Sequence, residues 1–255
     1  MVIVVEENHS YSEVVGSSSM PYLNGLITQN ALATQFYANA HPSIPNYFVL
    51  TSGQPITLDD SFQGTVSDDN VVRELLAKGK TWKSYAEALP NIGYLGGDVY
   101  PYAQHHNPFV FFSDVVNSPT QQSNIVPFTQ FGTDLANSAL PDYSFVIPDN
   151  VNNSHDAPLT TADNWLKQNI APLIASPKFQ QGGLLIITFD EGAFTDLANG
   201  GGHVPVVLVS PKVKKGFQST TTYEHQSVLR LMLAGLGVTS FPGAAALASD
   251  MGEFF

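Results

Sequence analysis

Short β-branched and aliphatic runs recur along this chain, each followed at once by a polar cluster. The first, residues 2–5 (Val-Ile-Val-Val), ends in Glu6-Glu7-Asn8-His9, and similar runs occupy residues 143–147, 184–189 and 204–209. Continuous apolar runs of this length read as strands buried on both faces. Between them lie segments with apolar residues at helical spacing: 22–29, 71–77 with Asp68 or Asp69 as the cap, 161–174, and 223–236 ending at Gly237. A further helix is predicted from the His41-Pro42-Ser43-Ile44-Pro45-Asn46-Tyr47 segment onward, with Pro45 at its first helical position, residues 47–51 continuing it and Gly53 ending it.

Strands alternating with helices predict an α/β fold with a largely parallel central sheet flanked by helices on both sides, a three-layer sandwich. Residues 1–255 read as a single domain, with no internal repeat, low-complexity tract or linker. Residues 91–123 are rich in Gly, Pro, Asn and aromatics and lack a period, which predicts a long excursion over one edge of the sheet. In open α/β sheets the carboxyl ends of the strands bind ligands, so the polar clusters after each run are where chemistry is expected.

Composition narrows that chemistry. With 22 acidic against 10 basic residues the formal net charge is −12, which repels polyanions and excludes nucleic-acid polymers as partners. Arg73 and Arg230 are the only arginines, so a site handling phosphate would depend on metal ions or helix N-termini rather than on an arginine clamp. The absence of cysteine rules out disulfides, thiolate metal sites and a cysteine nucleophile. The apolar runs fall far short of the roughly 20 residues of a membrane span, so no transmembrane anchor is expected. Met1 leads straight into an apolar run without a basic flank, and the surface is rich in Ser, Thr, Asn and Gln; the expectation is a secreted or periplasmic protein whose signal peptide is absent from this sequence.

Ser43 falls at a predicted helix N-terminus, where free N–H groups and the macrodipole favour an anion; the same pattern also fits an ordinary serine cap. Asp190 and Glu191 follow a strand directly, as do Glu7 and Asn8, and such oxygen donors suit a hard divalent cation, although Asp-Glu-Gly also makes a simple turn. Asp149, His155 and Asp156 follow a third strand, while His203 and His225 are further imidazoles near strand ends. Singly, such histidines are more often structural; jointly they favour one edge of the sheet. His105-His106-Asn107-Pro108 sits among Tyr100, Tyr102, Phe109, Phe111 and Phe112, and either meets a substrate or packs as a loop.

Five motifs carry a family resemblance: Glu7-Asn8-His9-Ser10-Tyr11, the His41–Tyr47 segment, Thr81-Trp82-Lys83-Ser84-Tyr85, His106-Asn107-Pro108-Phe109 and Phe189-Asp190-Glu191-Gly192. Together they resemble the bacterial phosphoesterase family of acid phosphatases and phospholipases C, which implies the alkaline phosphatase superfamily fold. The resemblance implies Glu7, Asn8, Ser43, Asp190 and Glu191 as ligands of a divalent metal, whose identity (Zn, Ca, Mg or Mn) stays open. It further implies Ser43 as nucleophile; Asn46 is a further catalytic candidate, and His155, His106 or His225 is the expected proton donor to the leaving group. His155-Asp156 is similar to the family's Met-His-Asp segment, and His225 to the histidine of its Tyr-x-His-x-Ser-x-Leu-Arg segment. Asp149, Asp156, His203 and His225 are the candidate positions for a second ion or for phosphate contacts.

The activity implied is metal-dependent hydrolysis of a small phosphate ester through a phosphoserine, in the manner of an acid phosphatase. The alternatives are a phospholipase C or other phosphodiesterase, with an apolar groove from residues 100–112 around a phospholipid head group, and a catalytically silent binding domain on the same fold.

Overall fold

The apolar run at the start of the chain forms strand β1 (Val2–Glu6), whose five side chains are all buried, as a strand covered on both faces requires. A computed structural model describes all of residues 1–255; its further strands are β2 (Ala31–Tyr37), β3 (Trp82–Ala86), β4 (Ile125–Pro127), β5 (Tyr143–Ile147), β6 (Leu185–Phe189), β7 (Val206–Val209) and β8 (Phe217–Glu224). They make one eight-stranded sheet in the order β4-β3-β5-β1-β6-β7-β2-β8. Strands β4, β3, β5, β1 and β6 pair in parallel, as do β2 and β8, whereas β7 runs antiparallel to both of its neighbours. The sheet is therefore mixed but mostly parallel, and the 204–209 run is where the predicted uniform direction gives way.

Helices Ser43–Ser52, Val71–Ala77 and His225–Gly235 pack together on one face, and Pro21–Gln29 packs with Leu159–Ala175 on the other. This is the three-layer arrangement the alternating pattern predicts. One continuous core includes Val4, Ile187, Phe48, Phe145, Leu166 and Leu229. Each aliphatic side chain so buried contributes roughly 1.5–3 kcal/mol against chain entropy.

Several local expectations shift. The helix at 71 is capped by Asn70, whose Oδ1 accepts from the N–H groups of Val72 and Arg73 at 3.0 and 3.2 Å, rather than by Asp68 or Asp69. The helix predicted from 223 starts at His225, because Tyr223 and Glu224 finish β8. The helix around Ser43 begins at Ser43 itself, two residues before Pro45, and stops at Gly53. Gly53 has φ +69°, and a Cβ there would lie 2.4 Å from the Pro242 carbonyl oxygen, so glycine is required both for conformation and for space. The 91–123 excursion folds into short helical turns whose Phe109, Phe111 and Phe112 are buried in the core, which leaves them unable to line an open apolar groove. No helix is long and apolar enough to cross a membrane.

Candidate active site at the carboxyl edge of the sheet

Register brings the two acidic pairs together. β1 and β6 are parallel neighbours with Glu6 opposite Phe189, so the next residues out of each strand, Glu7-Asn8 and Asp190-Glu191, leave the sheet side by side. The Asp190 N–H donates to the Glu6 carbonyl at 3.0 Å and fixes that exit. Asn8 takes φ +52°, a left-handed conformation that asparagine tolerates better than most residues. Its amide then faces inward.

The Ser43–Ser52 helix follows β2 and delivers its first turn to the same edge. Ser43 and Tyr47, one turn apart on one helix face, grip the two oxygens of Glu7: Ser43 Oγ–H donates to Oε2 at 3.2 Å, and the Tyr47 hydroxyl donates to Oε1. Ser43 Oγ also lies 3.5 Å from Glu191 Oε1. His106 stacks on the Tyr47 ring with its Nδ1 3.4 Å from Glu7 Oε1, while its Nε2 is buried without a partner.

One terminal atom of the Asn8 amide lies 3.1 Å from Asp190 Oδ1, 3.2 Å from Glu7 Oε2 and 3.3 Å from Glu191 Oε1. With oxygen at that point it faces only acceptors; turned by half a rotation, the amide would place its two N–H donors among all three oxygens. Asp190 Oδ2 is buried and has no partner. No lysine or arginine pairs with Glu7, Asp190 or Glu191; the ion pairs of those residue types lie elsewhere, at Arg73–Asp114, Lys80–Asp142 and Lys83–Asp134.

The electrostatics follow from burial without counter-charge. Burial raises the Glu7 carboxyl well above the ordinary range, and the Asp190 charge adds to it. Asp190 is raised likewise, by burial and then by Glu191. Burial and the nearby Asp60 charge push Glu191 up to about 8. His106 is held well below the usual imidazole range by burial and by its neighbours His105 and His155.

This donor set fits a hard divalent cation. With the Asn8 oxygen turned toward the three carboxylates, it lies 3.1–3.3 Å from one oxygen of each, the spacing of neighbouring ligands around an ion held at roughly 2.1–2.5 Å. Histidine, aspartate and glutamate side chains alone do not close into a group of three that could hold an ion, so an ion here would also need the neutral oxygens of Asn8 and Ser43.

The remaining predicted residues have distinct surroundings. Asn46 is buried and spends its side chain on the backbone before Ser43: Oδ1 accepts from the Asn39 and Ala40 N–H groups, and Nδ2 donates to the Ala40 and Pro42 carbonyls. Those four bonds tie the Asn46 side chain to the backbone that leads into Ser43. His155 is exposed near His106, with Nδ1 2.6 Å from Asp156 Oδ1. His225 is buried, 2.6 Å from the Asp190 carbonyl through Nε2, and burial pushes its imidazole down to about 4. Asp149 caps its own turn through the N–H groups of Val151 and Asn152. His203 is stacked between Tyr11 and Tyr37 with Nε2 on the Thr34 carbonyl, the surroundings of a packing residue.

Sequence reasoning passed over Tyr47, His41 and Asp60. Tyr47 was legible in principle, four residues after Ser43 on a predicted helix. His41 Nδ1 lies 2.8 Å from Glu191 Oε2 and its Nε2 2.9 Å from the Asp196 carbonyl; with Nε2 donating, one proton is shared between imidazole and carboxyl. A cavity of about 330 Å³ lies at the opposite edge, among Met1, Asp142, Lys178 and Phe179, away from every residue of this cluster.

A profile of the phosphoesterase family matches residues 17–239. The chain is 34% identical over 238 residues to a probable acid phosphatase of Kluyveromyces lactis, covering 89% of this chain and 55% of that one. It is 33% identical over 243 residues to an acid phosphatase of Aspergillus fumigatus, covering 92% and 54%. A phosphatidylinositol-3-phosphatase of Mycobacterium tuberculosis is 33% identical over 255 residues, covering 98% and 82%. The chain thus spans about half the length of the fungal relatives it matches. Among solved structures, a protein of the alkaline phosphatase superfamily from Vibrio parahaemolyticus superposes with a TM-score of 0.64 at 15% identity, over 93% of this chain and 66% of that one. A lipoteichoic acid synthase from Listeria monocytogenes gives 0.66 at 13%, over 95% and 73%. The fold is that of the alkaline phosphatase superfamily, and the sequence relatives extend beyond bacteria to fungi.

Proposed function

The chain belongs to the phosphoesterase family, and from that premise we propose that it hydrolyses phosphate esters through Ser43, with Glu7, Asn8, Asp190 and Glu191 holding a divalent metal ion. The observation that carries this reading is Ser43 Oγ at the first turn of a helix, hydrogen-bonded to Glu7 within a buried acidic cluster that has no lysine or arginine. An oxygen-rich donor set without thiolate favours a hard ion such as Mg, Ca or Mn. When bound, the ion supplies positive charge that offsets the cluster's carboxylates and attracts a phosphoryl group into it.

The residues divide the remaining work. Glu7 Oε2 holds the Ser43 proton, and Glu191 Oε1 is the next acceptor in reach. Ser43 Oγ forms a bond to phosphorus as the bond to the leaving alcohol's oxygen breaks, and water then hydrolyses the phosphoserine. His155, oriented through Nδ1 by Asp156, presents its other nitrogen to protonate the leaving oxygen. Tyr47 and His106 hold Glu7 in place, and Asn46 holds the chain that leads to Ser43. A small phosphomonoester is the substrate class supported by the relatives' names, acid phosphatase and phosphatidylinositol-3-phosphatase. A site of action outside the cytoplasm is consistent with a composition rich in Ser, Thr, Asn and Gln and poor in lysine.

The test is hydrolysis of para-nitrophenyl phosphate and its bis-ester by wild type and Ser43→Ala, before and after chelation and add-back of each metal. Turnover that disappears with Ser43→Ala and with chelation, and returns on add-back, is expected. Full activity of Ser43→Ala would remove the nucleophile assignment, and an inert wild type with every metal would favour a binding domain.

A further inference from the structure

The N–H of Ile44, the residue after the nucleophile, is already occupied: it donates to Asp60 Oδ1 at 3.0 Å. This amide is one of the first-turn donors that a helix leaves free, on the residue next to Ser43, and such donors suit the oxygens of a phosphoryl group. The residue preceding the helix is Pro42, which has no side-chain oxygen to offer, so the partner comes from sixteen residues downstream. Asp60 has no lysine or arginine partner, and its charge lies close enough to act unfavourably on Glu191. A carboxylate placed there, against like charge, stands in for an anionic oxygen.

Resting on the reading of Ser43 as nucleophile, we propose that Asp60 is a specificity-determining residue: its carboxylate occupies the Ile44 N–H that a phosphoryl oxygen would use, and a phosphate group must displace it to bind. The surrounding loop is anchored on both sides of Asp60. Gly53 fits under the Pro242 carbonyl, Phe62 packs on Phe48 and Phe111, and Gln63 Nε2 donates to Gln104 Oε1 at 2.8 Å. Displacement therefore asks only for rotation of the Asp60 side chain, which is partly exposed. The consequence is discrimination by charge. A dianionic monoester or free phosphate meets more repulsion from Asp60 than a monoanionic diester does.

Asp60→Asn separates charge from hydrogen bonding, because its amide oxygen can still accept from Ile44. With inorganic phosphate as the probe, the competitive inhibition constant should fall about tenfold in Asp60→Asn and Asp60→Ala, and calorimetric phosphate binding should tighten in parallel. The kcat/KM for para-nitrophenyl phosphate should rise by more than that for its bis-ester. Unchanged phosphate inhibition in both variants would overturn the proposal, as would loss of activity in Asp60→Ala restored by Asp60→Asn with wild-type phosphate inhibition, which would mark a helix cap only. Failure of phosphate to bind wild type and both variants would sink the Ser43 site itself along with this role.

Discussion

Two buried acids of this protein are treated in opposite ways. Asp134 accepts from Lys83 Nζ at 2.5 Å, from the Tyr85 hydroxyl at 2.7 Å and from Gln130 Nε2 at 2.8 Å. Burial works to raise its carboxyl, but those donors outweigh it and hold it below the usual range. Asp190 is wholly buried beside Glu7 and Glu191, has one unpartnered oxygen, and is pushed up by burial and by Glu191. At Asp134 the chain supplies the counter-charge itself, through Lys83. At Glu7, Asp190 and Glu191 no lysine or arginine does so, and the arrangement suits a charge brought from outside.

The largest effect that would test this contrast is on turnover. Ser43→Ala should lower kcat on para-nitrophenyl phosphate by about a thousandfold or more, whereas Asp134→Asn should leave it within a factor of about two. Equal losses in steady-state kinetics would erase the distinction between the two clusters.

Stability should move the other way. In chelated protein Asp190→Asn removes a repelled charge and should raise the unfolding free energy by about 1–2 kcal/mol, while Asp134→Asn should lower it by a similar amount. Urea melts of the three proteins in chelator check both signs.

The two clusters should also respond oppositely to pH. Glu191 folds into a site that lifts its carboxyl to about 8, so its contribution is fully present below the unfolded value, roughly 4.3, and is lost as pH rises through the folded one. Chelated protein should therefore lose stability between about pH 5 and pH 8, and a divalent ion should flatten that slope. Asp134 is held low, so its contribution is present above roughly 3.9 and is lost as pH falls below that value. Thermal melts across pH 3 to 9, with and without metal, separate the two. A flat profile in chelator would contradict the account of the site.

The smallest effect concerns support of the site. Tyr47→Phe removes one donor from Glu7 and should cost about tenfold in kcat and about 1 kcal/mol in stability. If activity were untouched, Glu7 would not depend on that grip.

Much of this organisation was legible in the sequence. β1, β5 and β6 are buried on both faces, so they read as unbroken apolar runs. The acidic pairs could be placed because strand ends point to one edge. β8 could not be read, because it is an edge strand whose Thr220, Thr221 and Thr222 face solvent, and β3 was hidden by Lys83 and Ser84, which find polar partners in Asp134 and Asn107. The contacts of Asp60 with Ile44 and of His41 with Glu191 depend on loop conformation and on neighbours far along the chain, which no local pattern encodes. His203 looked like a loop ligand because the tyrosines that sandwich it, Tyr11 and Tyr37, are remote in sequence.

The central claim is that Ser43 carries the phosphoryl group. Acid-quenching the metal-loaded enzyme during turnover and mapping its peptides should reveal phosphate on the peptide containing Ser43, absent from chelated protein and from Ser43→Ala. Full turnover with Ser43 unmodified at every quench time would contradict it.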